Sequence, residues 1–336
     1  MTESAAKTRF SAGIIGLGKV GSRFDEEKRG SVWSHAGAFI AANDRISLVG
    51  GADVGTENRE LFQLRCPAAE VFSDPVAFVK DTKPDILSIC TPPEKRAELV
   101  EAILTAHAPK VLLVEKPIDT LAEGRTRLLA AVEKAGCVAL VNYNRRYYPA
   151  CRAAKRAAWD GTIGEIRTIT VRIPNRLWSM GSHAMNLLLF LADAVPVAWQ
   201  GMPLPLFEET DEPAVDMICR FPNGSAGRLL CEGDRSMLFF ESEIMGTEGR
   251  IRIDRNGERA RLERFQAKQG WAGYRSLEEP VDIETNRPDF SSFVQLVEDA
   301  CDAVGSDRGS ADLESAIAGE NLLESLVKLY RQEQAC

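Results

Sequence analysis

The chain has 336 residues, of which 45% are hydrophobic and 27% charged, and its formal net charge is −8. At roughly 150 residues per domain that length suggests two domains, and the composition is globular rather than disordered or fibrous. The acidic balance gives no whole-molecule attraction to nucleic acid or to an anionic membrane.

The opening residues MTESAAKTRF are polar and lack the apolar run of a secretory signal. The strongest apolar stretch, residues 187–192, falls far short of the ~20 needed to span a bilayer. Eight cysteines are scattered with no CxxC pair, and there are three histidines. We therefore expect reduced thiols, a cytoplasmic setting and no metal site.

Residues 11–15 (SAGII) read as a strand that leads into Gly16-Leu17-Gly18-Lys19-Val20-Gly21. In a GxGxxG turn the first glycine allows the sharp bend, the second lets the backbone approach a pyrophosphate, and the third lets helix and strand pack closely. Lys19 and Val20 join the glycines as candidate cofactor contacts. A second strand, 46–52, ends at Asp53, where a carboxylate can bond an adenosine ribose and repel a 2′-phosphate. No arginine stands in 54–56, so NAD is expected over NADP, with NADP still possible. Gly21 and Asp53 are 32 positions apart, against about 20 in the usual fingerprint. The excess falls in residues 24–33, read as an inserted loop, and Ser34 then caps a helix running through Ala42. His35 reads as a packing residue rather than a ligand contact.

The alternation continues with a helix over 58–64, a strand from 71–72, a helix over 75–83 and a strand over 84–90 that stops at Thr91-Pro92-Pro93. A helix over 94–106 and a strand over 110–114 follow. This pattern predicts a doubly wound parallel sheet. Ligands of such sheets sit outside the carboxyl ends of the strands, which selects Thr91, Pro92 and Glu115-Lys116-Pro117. Lys116, fixed at a strand end ahead of a proline, can donate to a substrate oxygen and stabilise charge as hydride moves.

Taken together, GLGKVG, the strand-end Asp53, CTPP, VEKP and the later NYNRRYYP resemble the glucose–fructose oxidoreductase / inositol dehydrogenase / MocA (Gfo/Idh/MocA) family. The similarity extends through GTIGEI, GSH, IMGTEG and a terminal helical region near residue 288, and so covers nearly the whole chain. It implies an α/β protein: a Rossmann domain (1–144) followed by an α/β domain (145–336) with a large, mainly antiparallel open sheet that binds substrate and often forms an oligomer interface. It also implies NAD(P)-dependent oxidation or reduction of sugars, polyols or sugar derivatives, with Lys116 catalytic, and a frequent cis peptide before Pro117. A homodimer or homotetramer is the implied assembly.

In the second half, 166–173, 217–221, 226–231, 237–245 and 250–254 read as strands, and 290–304 and 312–331 as helices. Residues 187–191 are apolar on all sides, which predicts a buried helix. Ser179, Ser182, His183 and Asn186 recur at three- and four-residue spacing, forming one polar stripe near its start. His183 can serve as the base that takes a hydroxyl proton. The family's dehydrogenases commonly carry Asp where this chain has Ser179 and Asn186. That departure leaves three readings: Lys116 carries more of the proton transfer, the substrate is not a simple polyol, or the chain is a catalytically silent NAD(P) sensor. A redox-assisted lyase or glycoside hydrolase is a further alternative. Asn142, Asn144, Arg145, Arg146 and Tyr147 fall where two domains should meet. Asn144 is a candidate cofactor contact, and the arginines with Tyr147 are candidate grips on a carboxylate or phosphate. Asn175, Arg176 and Trp178 are weaker candidates for that role. Arg96 either supplies a cation to an anionic substrate or faces solvent.

Overall fold

The computed structural model describes residues 9–27, 32–174, 177–204, 213–234 and 236–334. In chain order the first elements are β1 (Phe10–Ile15), α1 (Phe24–Glu27), α2 (His35–Ala41), β2 (Ile46–Ala52), α3 (Thr56–Arg65), β3 (Glu70–Phe72) and α4 (Pro75–Thr82). Next come β4 (Ile86–Ile89), α5 (Arg96–Ala106), β5 (Val111–Val114), α6 (Ala122–Ala135), β6 (Val138–Val141), α7 (Pro149–Trp159), β7 (Ile166–Ile173) and α8 (Gly181–Ala192). The remainder is β8 (Ala198–Pro203), β9 (Val215–Arg220), β10 (Ala226–Cys231), β11 (Glu241–Gly246), β12 (Gly249–Asp254) and β13 (Arg259–Ala267). It closes with β14 (Arg275–Leu277), β15 (Val281–Thr285), α9 (Ser292–Ala303) and α10 (Ala311–Gln334).

The chain divides into two compact units, Met1–Asn142 with Ser291–Ile317, and Tyr143–Phe290 with Ala318–Cys336. The first holds a six-stranded parallel sheet in the order β3-β2-β1-β4-β5-β6. Every residue of β4, β5 and β6 is buried, as strands covered on both faces must be. Burying each valine, leucine or isoleucine there contributes roughly 1.5–3 kcal/mol. Ser34 caps α2 by accepting from the amide of Gly37, and Asp74 caps α4 through the amides of Val76 and Ala77.

Segment 24–33 is not a loop throughout, because its first turn is α1 (Phe24–Glu27); residues 28–31 lie outside the described residues. Asp25 draws the two ends of the segment together. Its carboxylate accepts from Trp33 N (2.5 Å) and Ser34 Oγ (2.6 Å) and pairs with Arg65 (2.5 Å).

The expected second domain, continuous over 145–336, also needs correcting. Ser291–Ile317 belongs to the first unit. Phe293, Leu296, Val297 and Ala300 on α9 are buried, α9 packs on α2, and Arg45 pairs with Glu298 (2.6 Å) and Asp302 (2.7 Å). An apolar stripe and two acidic partners tie this late helix to an early one.

The second unit is built on a nine-stranded sheet in the order β14-β13-β12-β11-β7-β10-β9-β8, with β15 on β13. Among the described residues only β7 and β10 pair in parallel, so the sheet is mainly antiparallel as expected. Alternate residues of β7, β9 and β10 join the apolar core with α7 and α8. The strand expected over 237–245 starts only at Glu241, and Met237 and Leu238 ahead of it are exposed. The sequence reading does not single out α6, β6, α7, β8, β13, β14 or β15.

Candidate active site

In the first unit, a cavity of about 600 Å³ opens at the carboxyl ends of the strands. Gly16, Gly18, Lys19, Val20, Asp53, Thr91, Pro92, Glu115 and Lys116, all expected near a cofactor, line it. Gly16 has φ of +90°, and a Cβ there would stand 2.8 Å from the carbonyl carbon of Cys90. A Cβ on Gly21 would stand 1.9 Å from the Gly16 carbonyl oxygen, so Gly21 serves packing and does not face the cavity. By contrast, Gly18 has nothing within 4 Å of that position. Open space over this backbone, and a buried Thr91 Oγ1 with no hydrogen-bond partner among the described residues, fit a bound dinucleotide.

Asp53 is held by three bonds: Leu17 N donates to Oδ2 (2.7 Å), Gly55 N to Oδ1 (2.7 Å) and Asn58 Nδ2 to Oδ2 (3.1 Å). Arg59, which sequence reasoning passed over, stands nearby. Its guanidinium is directed at the carbonyls of Asp53 (2.8 Å) and Val54 (2.9 Å) and at Thr56 Oγ1 (3.0 Å).

Lys116 is half-buried, precedes a cis peptide to Pro117, and makes no hydrogen bond or ion pair among the described residues. Beside it, the buried Glu115 carboxylate accepts from His35 Nε2 (2.9 Å) and Asn142 Nδ2 (2.6 Å). Burial opposes the charge on Glu115, but His35, Asn142 and Arg96 outweigh it and hold the carboxyl below the usual range. Burial likewise opposes protonation of His35, yet Cys90 and Glu115 outweigh it and raise the imidazole to about 10. The packing role expected for His35 holds in that its ring is enclosed, edge-on to Phe293 at 5.5 Å.

Of the two expectations for Arg96, that it faces solvent is overturned, while the side chain does line the cavity. It is 2% exposed, and it donates to the carbonyls of Thr91, Glu115, Pro117 and Ile118. Five donors in a planar fork let one side chain gather several strand-end carbonyls. Arg96 is therefore part of the cavity's frame.

In the second unit, the 3-10 turn Asn144–Tyr147 packs against α8. His183 lies on α8, with the Tyr143 ring edge-on to it at 5.6 Å, and Tyr143 Oη donates to the buried Glu320 at 2.8 Å. Tyr143 and Glu320 were missed by sequence reasoning. Glu320 carried a visible signal, because it interrupts the stripe Leu313, Ala316, Ile317, Leu323, Val327, all buried on α10. Ser182 and Asn186 are also buried, and Ser182 Oγ and Asn186 Nδ2 have no hydrogen-bond partner among the described residues. Ser179 is not part of the helical stripe, because α8 begins at Gly181.

The Arg145 guanidinium carbon lies 3.6 Å from the centre of the Phe240 ring, and no carboxylate pairs with it among the described residues. Burial pulls its pKa below the usual arginine range, with Tyr148 and Cys151 working the other way. Arg146 is buried with its guanidinium carbon 5.3 Å from the Phe190 ring, and Tyr147 is buried under Arg152. Asn144 sits in the same turn, its Oδ1 buried and without a hydrogen-bond partner among the described residues. Trp178 is exposed, and Asn175 and Arg176 lie outside the described residues. Among the described residues no group of acids, histidines and cysteines could hold a metal ion, and no helix is long and apolar enough to cross a membrane.

Residues 10–143 match the model of an oxidoreductase family with an NAD-binding Rossmann fold, GFO_IDH_MocA. An inositol 2-dehydrogenase of Rhizobium meliloti is 31% identical over 163 residues, 47% of this chain and 43% of that protein. A myo-inositol 2-dehydrogenase of Thermotoga maritima is 27% identical over 263 residues, 72% of this chain and 74% of the relative. The chain thus spans less than half the length of the first relative and about three quarters of the second. Among solved structures, the WlbA dehydrogenase from Bordetella pertussis in complex with NADH and UDP-GlcNAcA superposes with a TM-score of 0.71. It is 18% identical, over 96% of this chain and 97% of that one, a likeness of fold.

Proposed function

The chain belongs to the Gfo/Idh/MocA family of oxidoreductases, and we propose that it is an NAD-dependent dehydrogenase or reductase. In this reading it moves a hydride between nicotinamide and a hydroxyl or keto carbon of a sugar, polyol or sugar nucleotide. The observation that carries the reading is the strand-end cavity, walled by the open Gly18 backbone and by a Lys116 ammonium with no partner among the described residues. NAD, when bound, accepts or supplies the hydride. Lys116 donates to the substrate oxygen and steadies its negative charge. His183 takes the hydroxyl proton on oxidation and returns it on reduction, with the Tyr143 ring, itself anchored by Glu320, set edge-on against the imidazole. Arg145, which has no carboxylate partner, takes an anionic group and so favours an acidic sugar or a sugar nucleotide. The expected cytoplasmic setting and homo-oligomer are part of the same reading; none of the seven described cysteines is in a disulfide.

Stopped-flow absorbance at the reduced-nicotinamide band tests this with a panel of polyols, sugars, sugar acids and sugar nucleotides. Turnover should appear with at least one class and fall about 10²–10⁴-fold in Lys116→Ala. Silence across the panel despite tight dinucleotide binding would sink it. The absence of an acid from the first turn of α8 favours one second reading, a silent NAD(P) sensor. That reading requires Lys116→Ala to keep the biological effect and Gly18→Trp to abolish it.

A further inference from the structure

Around Lys116 the neighbouring groups are tied down from several elements. The Glu115 amide stays in the sheet, donating to the Ile89 carbonyl at 3.0 Å. The Glu115 carboxylate, on the next side chain back, takes His35 Nε2 from α2 and Asn142 Nδ2 from the end of β6. His35 is itself held from behind, with Nδ1 3.0 Å from Ser88 Oγ on β4. On the other flank Arg96, the first residue of α5, gathers the carbonyls of Glu115 and Pro117. The groups facing Glu115 and His35 are thus Cys90, Arg96, Asn142 and Ser88.

A buried ion pair is a poor device for stability, since apolar residues of the same volume do as well or better. This one is also placed where ordinary packing would serve: between four elements, under a strand end whose next residue lines the cavity. A displacement of ~1 Å in a reacting group can cost about 10²-fold in rate, so a rigid mount has value that packing energy does not measure. We propose that His35, acting through Glu115, is a positioning residue for Lys116, fixing where its ammonium enters the cavity. This rests on the reading of Lys116 as the group that meets the substrate.

The test is competitive acetylation of the full chain with trace acetic anhydride in the presence of NADH. Labelling of Lys116 is measured by peptide mass spectrometry relative to the exposed Lys134. In His35→Leu the ratio should rise at least about threefold, with NADH affinity within about twofold of the parent. His35→Gln, whose amide can still donate to Glu115, should restore the ratio. On any substrate found in the panel, His35→Leu should lower kcat by about 10²-fold and leave KM nearly unchanged. If His35→Leu fails to fold, Asn142→Ala, which removes the other donor to Glu115, is read in the same way. An unchanged ratio in a folded variant, or no rescue by glutamine, overturns the proposal. Because labelling needs no turnover, full activity in Lys116→Ala would defeat the functional reading alone.

Discussion

Asp53 is fixed before any ligand arrives, and its fixing sets what it can discriminate. The amides of Leu17 and Gly55 and the Asn58 side chain hold both carboxylate oxygens in place, so it cannot swing away from a 2′-phosphate. Arg59, the nearby cation that could welcome that phosphate, is engaged with carbonyls of the same loop. Asp53→Ala should shift the ratio of NAD to NADP affinity at least about tenfold toward NADP, measured by fluorescence titration of the reduced forms. An unchanged ratio would mean that selectivity lies elsewhere. His35 sets a second expectation. A histidine whose folded pKa is raised from 6.5 to about 10 lends stability that is complete below pH 6.5 and lost as pH climbs toward 10. Glu115, held below its ordinary 4.5, lends stability that is complete above that value and lost as pH falls. Urea unfolding should therefore show a plateau between about pH 4.5 and 6.5 and a decline on the alkaline side, shallower in His35→Leu. Equal alkaline slopes in the two proteins would show that the pair is not charged. No local pattern marks this pair, because residues 35 and 115 are joined only by the winding of the sheet.

Among elements, the glycine turn divides fold from binding. Gly21 has no room for a methyl, whereas Gly18 has room that a ligand would fill. Gly21→Ala should lower the melting temperature by several degrees or more, since the intruding carbon meets backbone that cannot yield. Gly18→Ala should leave the melting temperature of the free chain unchanged and weaken NADH binding at least about tenfold. Calorimetry and fluorescence titration separate the two, and loss of stability in Gly18→Ala would contradict the assignment. The turn was legible because its spacing and flanking strand are local. Arg96 was not, since a charged residue at the start of a helix looks the same whether it meets water or four carbonyls. Likewise the strand expected from Met237 loses its first four residues, because apolar composition alone does not show that a partner strand is within reach.

At the scale of the whole chain, the plan of a parallel sheet followed by a mainly antiparallel one was legible from strand–helix alternation and then strand–turn runs, but the path of the chain between units was not. Ser291–Ile317 reads as a continuation of the second half, yet it completes the first unit. Three kinds of contact hold it there. Ser291 Oγ donates to the Val32 carbonyl at 2.7 Å, and Arg45 pairs with Glu298 and Asp302. At β6, the edge of the parallel sheet, Ala139 N donates to the Gly309 carbonyl at 3.1 Å and Val141 N to Asp312 at 2.6 Å. An uncovered parallel edge and an unpaired apolar face on α2 are both invitations to aggregate. Residues 1–144 alone should therefore bind a hydrophobic dye and unfold without a cooperative transition. The same residues joined through a glycine–serine linker to 291–317 should melt cooperatively and bind NADH. Dye fluorescence, calorimetry and NADH titration on the two chains decide it: a cooperative, dinucleotide-binding 1–144 would mean that α9 and the β6 edge contacts add little, and that the first unit ends where its last strand does.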